Sequence, residues 1–292
     1  KKALQNDEFT FAVFISPSGK GLKLLVKVPL DKTKHLQSFK ELEKYYKVNY
    51  NLVADKQCKD IARLMFLSWD ENIFINENSK GIEVGAGTGL SKVSKEFIKC
   101  NNFFITDYAE NPWLDSKMID ALNTKIDSNS LDFVISSNMI HHVPYPTLFF
   151  EEMNRILKPG GKLIIQEINC SNSMRFLLKL MRHEGYDFTI DVFNKTLICT
   201  DPNDLWSANC AIPNLLFDDI EFFKKKIPFF KIVYTSYSEF FLFINSGGVI
   251  SKTIHIPLPI IVNKFIVFID NILCKISPSF FPLQRQIVLE KK

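Results

Sequence analysis

Glu83-Val84-Gly85-Ala86-Gly87-Thr88-Gly89 follows a short apolar run, Gly81–Val84, and opens Leu90–Ile98, where Leu90, Val93 and Phe97 recur at helical spacing. Glycines between a strand and a helix allow a tight turn and let a ligand approach the backbone closely. Taken alone, such a loop is also an ordinary structural turn. Its glycines stand two apart, whereas the dinucleotide fingerprint reads Gly-x-Gly-x-x-Gly, which disfavours a nicotinamide enzyme. Working outward, Asn102–Thr106 reads as a second strand ending at Asp107, where an acidic side chain can accept bonds from ribose hydroxyls or cap a helix. Asp120-Ala121 lies on the approach to the next element, at a place where polar turns also favour Asp. Leu131–Ser137 reads as an apolar strand ending at Asn138, followed by a helix over Pro146–Leu157 with Phe149, Met153 and Ile156 aligned. Lys158-Pro159-Gly160-Gly161 reads as a tight turn, and Lys162–Ile168 as the next strand. Strands alternating with helices imply a parallel sheet covered on both faces, so the fold class is α/β.

The 292 residues suffice for about two domains. With 46% hydrophobic and 23% charged residues, intrinsic disorder is excluded as the main state. Up to Ser79 the chain carries 13 basic and 10 acidic residues, and beyond it 23 and 22; neither part has the basic excess of an electrostatic nucleic-acid binder. Only five of the 36 basic residues are Arg, and Phe, Ile, Asn and Lys are plentiful, which points to an AT-rich coding sequence. The six cysteines, at 58, 100, 170, 199, 210 and 274, form no CxxC pair; they read as reduced thiols, and no metal site is expected. Lys1–Thr10 lacks the apolar core of a signal peptide, so a cytoplasmic location is expected. Ile254–Ile276 is apolar but interrupted by Pro257, Pro259, Lys264 and Asp270. Within it, Ile261, Phe265, Phe268 and Ile272 share one helical face, expected to pack on a domain, with contact to lipid or a lipid-like substrate as the alternative to a membrane span.

Residues 81–292 resemble the class I S-adenosylmethionine-dependent methyltransferases. The likeness is closest to a branch with a Glu-x-Gly-x-Gly-x-Gly loop and a His-His pair after the fourth strand, here His141-His142. His183-Glu184-Gly185-Tyr186-Asp187 and Asn245-Ser246-Gly247-Gly248-Val249 look like a bacterial subgroup. The resemblance implies a Rossmann-like, seven-stranded, mostly parallel sheet over residues 80–292, with Gln286–Glu290 as a final antiparallel strand at the sheet edge. It implies that S-adenosylmethionine is held at its amino-acid end by Glu83, Ala86 and the backbone of Gly85, Gly87 and Gly89. Asp107 would take the ribose, Asp120 with Ala121 the adenine, and Asn138 would lie near the sulfonium. His142, His141 and His183 are the candidate catalytic residues, with Glu184 and Asp187 beside His183 in the region that builds the acceptor pocket. Their competing reading is loop support and surface charge. The apolar residues Leu205, Trp206, Ile212, Pro213, Leu215, Leu216 and Phe217, and Phe240–Phe243, suit either a lid over a small-molecule, lipid-linked or saccharide-linked acceptor or a core around an extra helix.

Residues 1–79 read separately, as a small α+β pattern. Phe9–Phe14 and Leu22–Val28 are predicted strands around a polar turn, Leu36–Val48 is a predicted amphipathic helix, and Ile61–Leu67 is a further apolar run. Ser16-Pro17-Ser18-Gly19-Lys20-Gly21 fails the phosphate-loop spacing. With His35, Tyr45-Tyr46, Asp55 and the run from Arg63 to Asp70, the segment resembles the second half of a virulence-associated-E-type N-terminal domain, which is similar to primase–polymerase folds. Lys20, Lys23, His35 and Arg63 could then contact phosphate, the rival reading being a nucleic-acid-processing module with a passenger methyltransferase fold. Ser79-Lys80 leaves no room for the helix that precedes the glycine loop in such methyltransferases, so the chain is expected to be a fusion of two fragments with weakened cofactor binding.

Overall fold

The computed structural model describes residues 4, 7, 10–15, 22–26, 35–54, 74–75, 79–87, 98, 100–110, 114–115, 119–182, 184–245 and 256–292. The chain divides into two compact units, Lys1–Ser79 with Val93–Asn102, and Lys80–Lys92 with Phe103–Lys292.

In the first unit, β1 (Thr10–Ile15) pairs antiparallel with β2 (Leu22–Val26) and with β3 (Phe74–Ile75), in the order β2-β1-β3. The helix α1 (His35–Tyr50) supplies Tyr46, buried with Leu4 and Val13 and flanked by Leu24, Val26 and Leu42. The predicted strands and helix are therefore present, each shifted by one to two residues. Ile61–Leu67, Lys20 and Arg63 lie outside the described residues.

The second unit is built on a six-stranded mixed sheet with the order β5-β4-β6-β7-β9-β8. These strands are β4 (Lys80–Val84), β5 (Asn102–Ile105), β6 (Leu131–Ser137), β7 (Leu157–Ile168), β8 (Phe230–Ser238) and β9 (Gln284–Lys291). β4 and β6, and β6 and β7, pair in parallel, whereas β9 runs antiparallel to both β7 and β8. Seven mostly parallel strands were expected. Between β5 and β6 the described residues, 106–110, 114–115 and 119–130, form turns and loops plus one single-residue bridge at Thr106, so no further strand joins that edge among them. β9 is antiparallel as predicted but is not the edge. β8, which the sequence reading passed over, covers it. In its half-polar run FKIVYTSYS only Phe230 is buried, so the sequence carries little alternation. The turn predicted at Lys158–Gly161 is drawn into the start of β7, with Gly160 at φ +77°.

The core lies between this sheet and α2 (Pro146–Ile156), which starts with Pro at its first position, where the missing N–H costs nothing. Phe149, Phe150, Met153 and Ile156 are fully buried against Ile82, Val84, Val134, Leu163 and Ile165. The Phe150 ring meets Phe217, Phe223 and Phe230 edge-on at centroid distances of 6.1, 5.4 and 6.4 Å. Truncating Phe150 to Ala would cost about 3–5 kcal/mol. Of the apolar residues assigned to a lid or a core, Ile212, Pro213, Leu216 and Phe217 in α4 (Ile212–Phe217) are core, while Leu205 and Trp206 are exposed. The remaining helices are α3 (Asn172–Met181), α5 (Ile220–Lys226), α6 (Phe241–Asn245) and α7 (Ile260–Ile276). α7 corrects the sequence reading: Ile261, Phe265, Phe268 and Ile272 are exposed, and the helix turns Asp270 and Cys274 inward instead. The Asp270 carboxylate accepts the backbone N–H groups of Phe240, Phe241 and Leu242 at 3.0 Å each, and so caps α6. Among the described residues, no helix is long and apolar enough to cross a membrane.

Candidate active site

Strand β4 delivers Glu83, buried, and then turns at Gly85 and Gly87, whose φ angles of +67° and +68° favour glycine. A Cβ on Gly85 would lie 2.1 Å from Met139 Cγ, so this glycine also admits the loop after β6. Among the described residues, a Cβ on Gly87 would meet nothing within 4 Å. These two positive-φ glycines present the backbone at the end of β4, where a polar ligand could approach. The Gly87 N–H donates to Asp107 Oδ2 at 2.7 Å, and the Ala86 N–H to the Thr106 carbonyl at 3.1 Å. The Thr106 hydroxyl donates to the Glu83 carbonyl at 2.7 Å. The fold thus unites Glu83, Gly85, Ala86, Gly87 and Asp107. Gly89 and the helix predicted over Leu90–Ile98, apart from Ile98, lie outside the described residues. Asp107 caps no described helix; its Oδ1 takes the Ala109 N–H at 2.8 Å.

Asp120 and Ala121 sit in a turn, where Asp120 Oδ1 accepts the Leu122 N–H at 2.8 Å and Ala121 packs on the main core. Asn138 takes a left-handed φ of +48° at the end of β6, and its N–H donates to the Gln166 carbonyl at 2.8 Å. This bend feeds the 3-10 turn Ile140–His142.

Strand pairing sets what surrounds that turn. Ser137 lies beside Gln166 in the β6–β7 register, so Glu167 falls just past the end of β6. Its carboxylate, fully buried, accepts the N–H groups of Met139 (2.7 Å) and Ile140 through Oε1, and holds His141 Nδ1 at 2.6 Å through Oε2. Glu184, on the segment after α3, brings Oε2 to 3.7 Å from His141 Nε2 and Oε1 to 4.0 Å from His142 Nε2. The Cys210 thiol donates to Glu184 Oε2 at 3.3 Å. His142 Nδ1 lies 3.0 Å from the Ser207 carbonyl, and the two imidazole centroids are 4.2 Å apart.

Burial alone would lower the His141 pKa, but the Glu167 carboxylate on its ring, with Glu184 behind, holds it above the ordinary value. His142 goes the other way: burial, then the charge of His141, holds it below. Burial and the Glu184 charge push the Cys210 thiol far up, so it is no thiolate nucleophile.

His183 lies outside the described residues. Asp187 is not part of the cluster; its Oδ1 closes a turn onto the Thr189 N–H (2.8 Å) and hydroxyl (2.7 Å). Glu167 was missed in the sequence. Its only signal was its place at the end of a strand adjoining the one that leads to the His pair.

Two families match this chain: residues 1–74 match one described as "BT4734-like, N-terminal domain", and residues 82–165 match one described as "Methyltransferase domain". The second match falls on the segment that holds the glycine loop and the His pair. S-adenosylmethionine is the cofactor that the resemblance of residues 81–292 implied, and the methyltransferase match agrees with it. Several curated relatives are similar to part of this chain. A highly reducing polyketide synthase of Calcarisporium arbuscula is 29% identical over 128 residues, 37% of this chain and 5% of that protein. Phosphoethanolamine N-methyltransferase 2 of Caenorhabditis elegans is 32% identical over 96 residues, 29% of this chain and 22% of that protein. A Staphylococcus aureus demethylmenaquinone methyltransferase is 24% identical over 171 residues, 54% of this chain and 68% of that protein. The chain therefore spans a small part of the first two relatives' length.

Proposed function

We propose that this chain transfers a methyl group from S-adenosylmethionine to a small-molecule, lipid-linked or saccharide-linked acceptor. The observation that carries the reading is the loop at the end of β4, where the positive-φ glycines Gly85 and Gly87 bring the backbone to Asp107. When bound, the sulfonium supplies an electrophilic methyl group, whose carbon–sulfur bond breaks as the acceptor atom bonds to it. Glu83, Ala86 and the glycine backbone of 85, 87 and 89 would hold the amino-acid end. Asp107 would exchange the Gly87 N–H for ribose hydroxyls, Asp120 and Ala121 would meet the adenine, and Asn138 would flank the methyl group. His142 and His141, directly past β6, would face the acceptor, where sheets of this kind bind ligands. His183 would line the same pocket. The chain's work is to align the acceptor in line with the breaking bond and to exclude water.

The exposed apolar face of α7, with Ile261 at 80% and Phe265 at 62% exposure, supports a lipid-linked acceptor met at a membrane surface. The neighbouring matches to residues 1–74 and 82–165 support a fusion of two gene fragments, natural or from sequence assembly; a peptide crossing Asn76–Gly85 in digests of the native protein would rule out an artificial join. No residue of 1–79 takes part in the transfer as drawn.

Calorimetric titration of S-adenosylhomocysteine into the full chain tests the reading. Micromolar binding is expected. Asp107→Ala should weaken it by about 10- to 100-fold, the worth of one or two hydrogen bonds to a charged group. Absence of binding by the folded wild-type chain would refute it.

A further inference from the structure

His141, His142 and Glu184 each offer one ligand atom, and these atoms all lie within 4.8 Å of one another. The hydrogen bonds around them fix which atoms face inward. The Ser207 carbonyl can only accept, so His142 Nδ1 carries the hydrogen and Nε2 keeps its lone pair when the ring is neutral. Glu167, already accepting two backbone N–H groups, acts on His141 Nδ1 in the same way and turns Nε2 toward Glu184. A carboxylate or carbonyl on the far nitrogen of each ring is the arrangement that orients imidazoles as metal ligands.

The three residues come from two segments, the 3-10 turn Ile140–His142 and the stretch after α3 that carries Glu184, and those segments are locked together. The Asn209 N–H donates to the His141 carbonyl at 2.9 Å, and the Cys210 N–H to the Gly185 carbonyl at 3.0 Å. Asn209 Oδ1 accepts the Asp187 N–H at 2.8 Å, which pins the segment that carries Glu184. The ligand atoms are therefore held in place by the fold. Bonds of about 2.1 Å in a tetrahedral site put ligand atoms about 3.4 Å apart, close to the 3.7 and 4.0 Å found between Glu184 and the two rings.

We infer that His141 Nε2, His142 Nε2 and the Glu184 carboxylate bind one divalent transition-metal ion. Two imidazoles and one carboxylate suit zinc, cobalt, iron or nickel better than magnesium or calcium, and three protein ligands leave a position open for water or an acceptor oxygen. Glu167 is then a positioning residue that acts through His141. The inference goes beyond methyl transfer and does not depend on it, because metal uptake needs no bound cofactor or acceptor.

The test is a Co2+ titration of the full chain after chelator treatment, read by visible absorption and by metal analysis of the dialysed protein. One equivalent should be taken up, with the ligand-field bands of an N/O site. Glu184→Gln and His142→Gln should each lose at least about tenfold in affinity, and Glu167→Gln about 10- to 100-fold with a shifted spectrum. Folded wild-type protein that takes up no stoichiometric cobalt overturns the inference. So does uptake that Glu184→Gln leaves unchanged while circular dichroism shows it folded. S-adenosylhomocysteine titrated into the same samples reports separately on methyl transfer: cobalt uptake without its binding would remove that reading alone.

Discussion

Asp7 in the first unit and Glu167 in the second are both buried carboxylates with several hydrogen bonds, and they serve different ends. Asp7 accepts from the hydroxyls of Tyr45 (2.7 Å), Tyr46 (3.0 Å), Tyr50 (2.8 Å) and Thr10 (3.0 Å). The Thr10 N–H also donates to Asp7 at 3.0 Å; these donors are neutral, and burial with the Asp7 bond raises Tyr46 to about 12. Glu167 accepts two backbone N–H groups and an imidazole, with a second carboxylate, Glu184, across the ring. The first carboxylate ties a helix to a strand. The second orients a group that can carry a proton or a metal. Full hydrogen bonding is thus common to structural and functional carboxylates, and what separates them is the chemistry of the donors.

That contrast can be broken most forcefully at Glu167. Glu167→Ala removes the acceptor from two backbone N–H groups and from His141, at a cost of about 3–5 kcal/mol. Calorimetry of the full chain should show a large fall in the melting transition of the second unit. A shift within error would mean that the loop after β6 stands without this carboxylate. Asp7→Ala should act on the first unit instead, at about 1–3 kcal/mol. The second unit's transition should stay where it is, and a shift there of equal size would end the separation of roles.

The smallest effect is in acid. Burial would raise the Asp7 pKa, but the bonds from Tyr45, Tyr50, Thr10 and Tyr46 win and hold it below the ordinary carboxylate value. The unfolded chain therefore binds this proton more readily than the folded one. The stability contributed is present above the ordinary carboxylate value and is lost as pH falls through the lower folded value. Acid unfolding followed by circular dichroism should show a first-unit transition whose pH dependence is flattened in Asp7→Asn. An unaltered profile would show that the tyrosine hydroxyls do not favour the charged form.

Local patterns carried much of this fold in the sequence. β6, β7 and α2 were legible because each repeats its burial at its own period, β4 because it is a continuous buried run, and the Gly85–Gly87 turn because glycine alone tolerates those φ values at little cost. The His pair was legible as well, since both members are adjacent in the chain. The rest required distant segments to meet. Glu167 lies 26 residues beyond His141, and Ser207 lies 65 beyond His142, so no spacing announces either bond. β8 shows too little alternation to be read, and becomes a strand because β9 offers it a partner. In α7 the periodicity is real, but it marks a face left in solvent, since the side turned inward is chosen by the capping bonds of Asp270. Periodicity and glycine geometry are properties of neighbouring residues, and the sequence by itself determined what depends on them. Which carboxylate meets which imidazole, and which helix face is covered, depends on long-range pairing, and only the tertiary structure decided it.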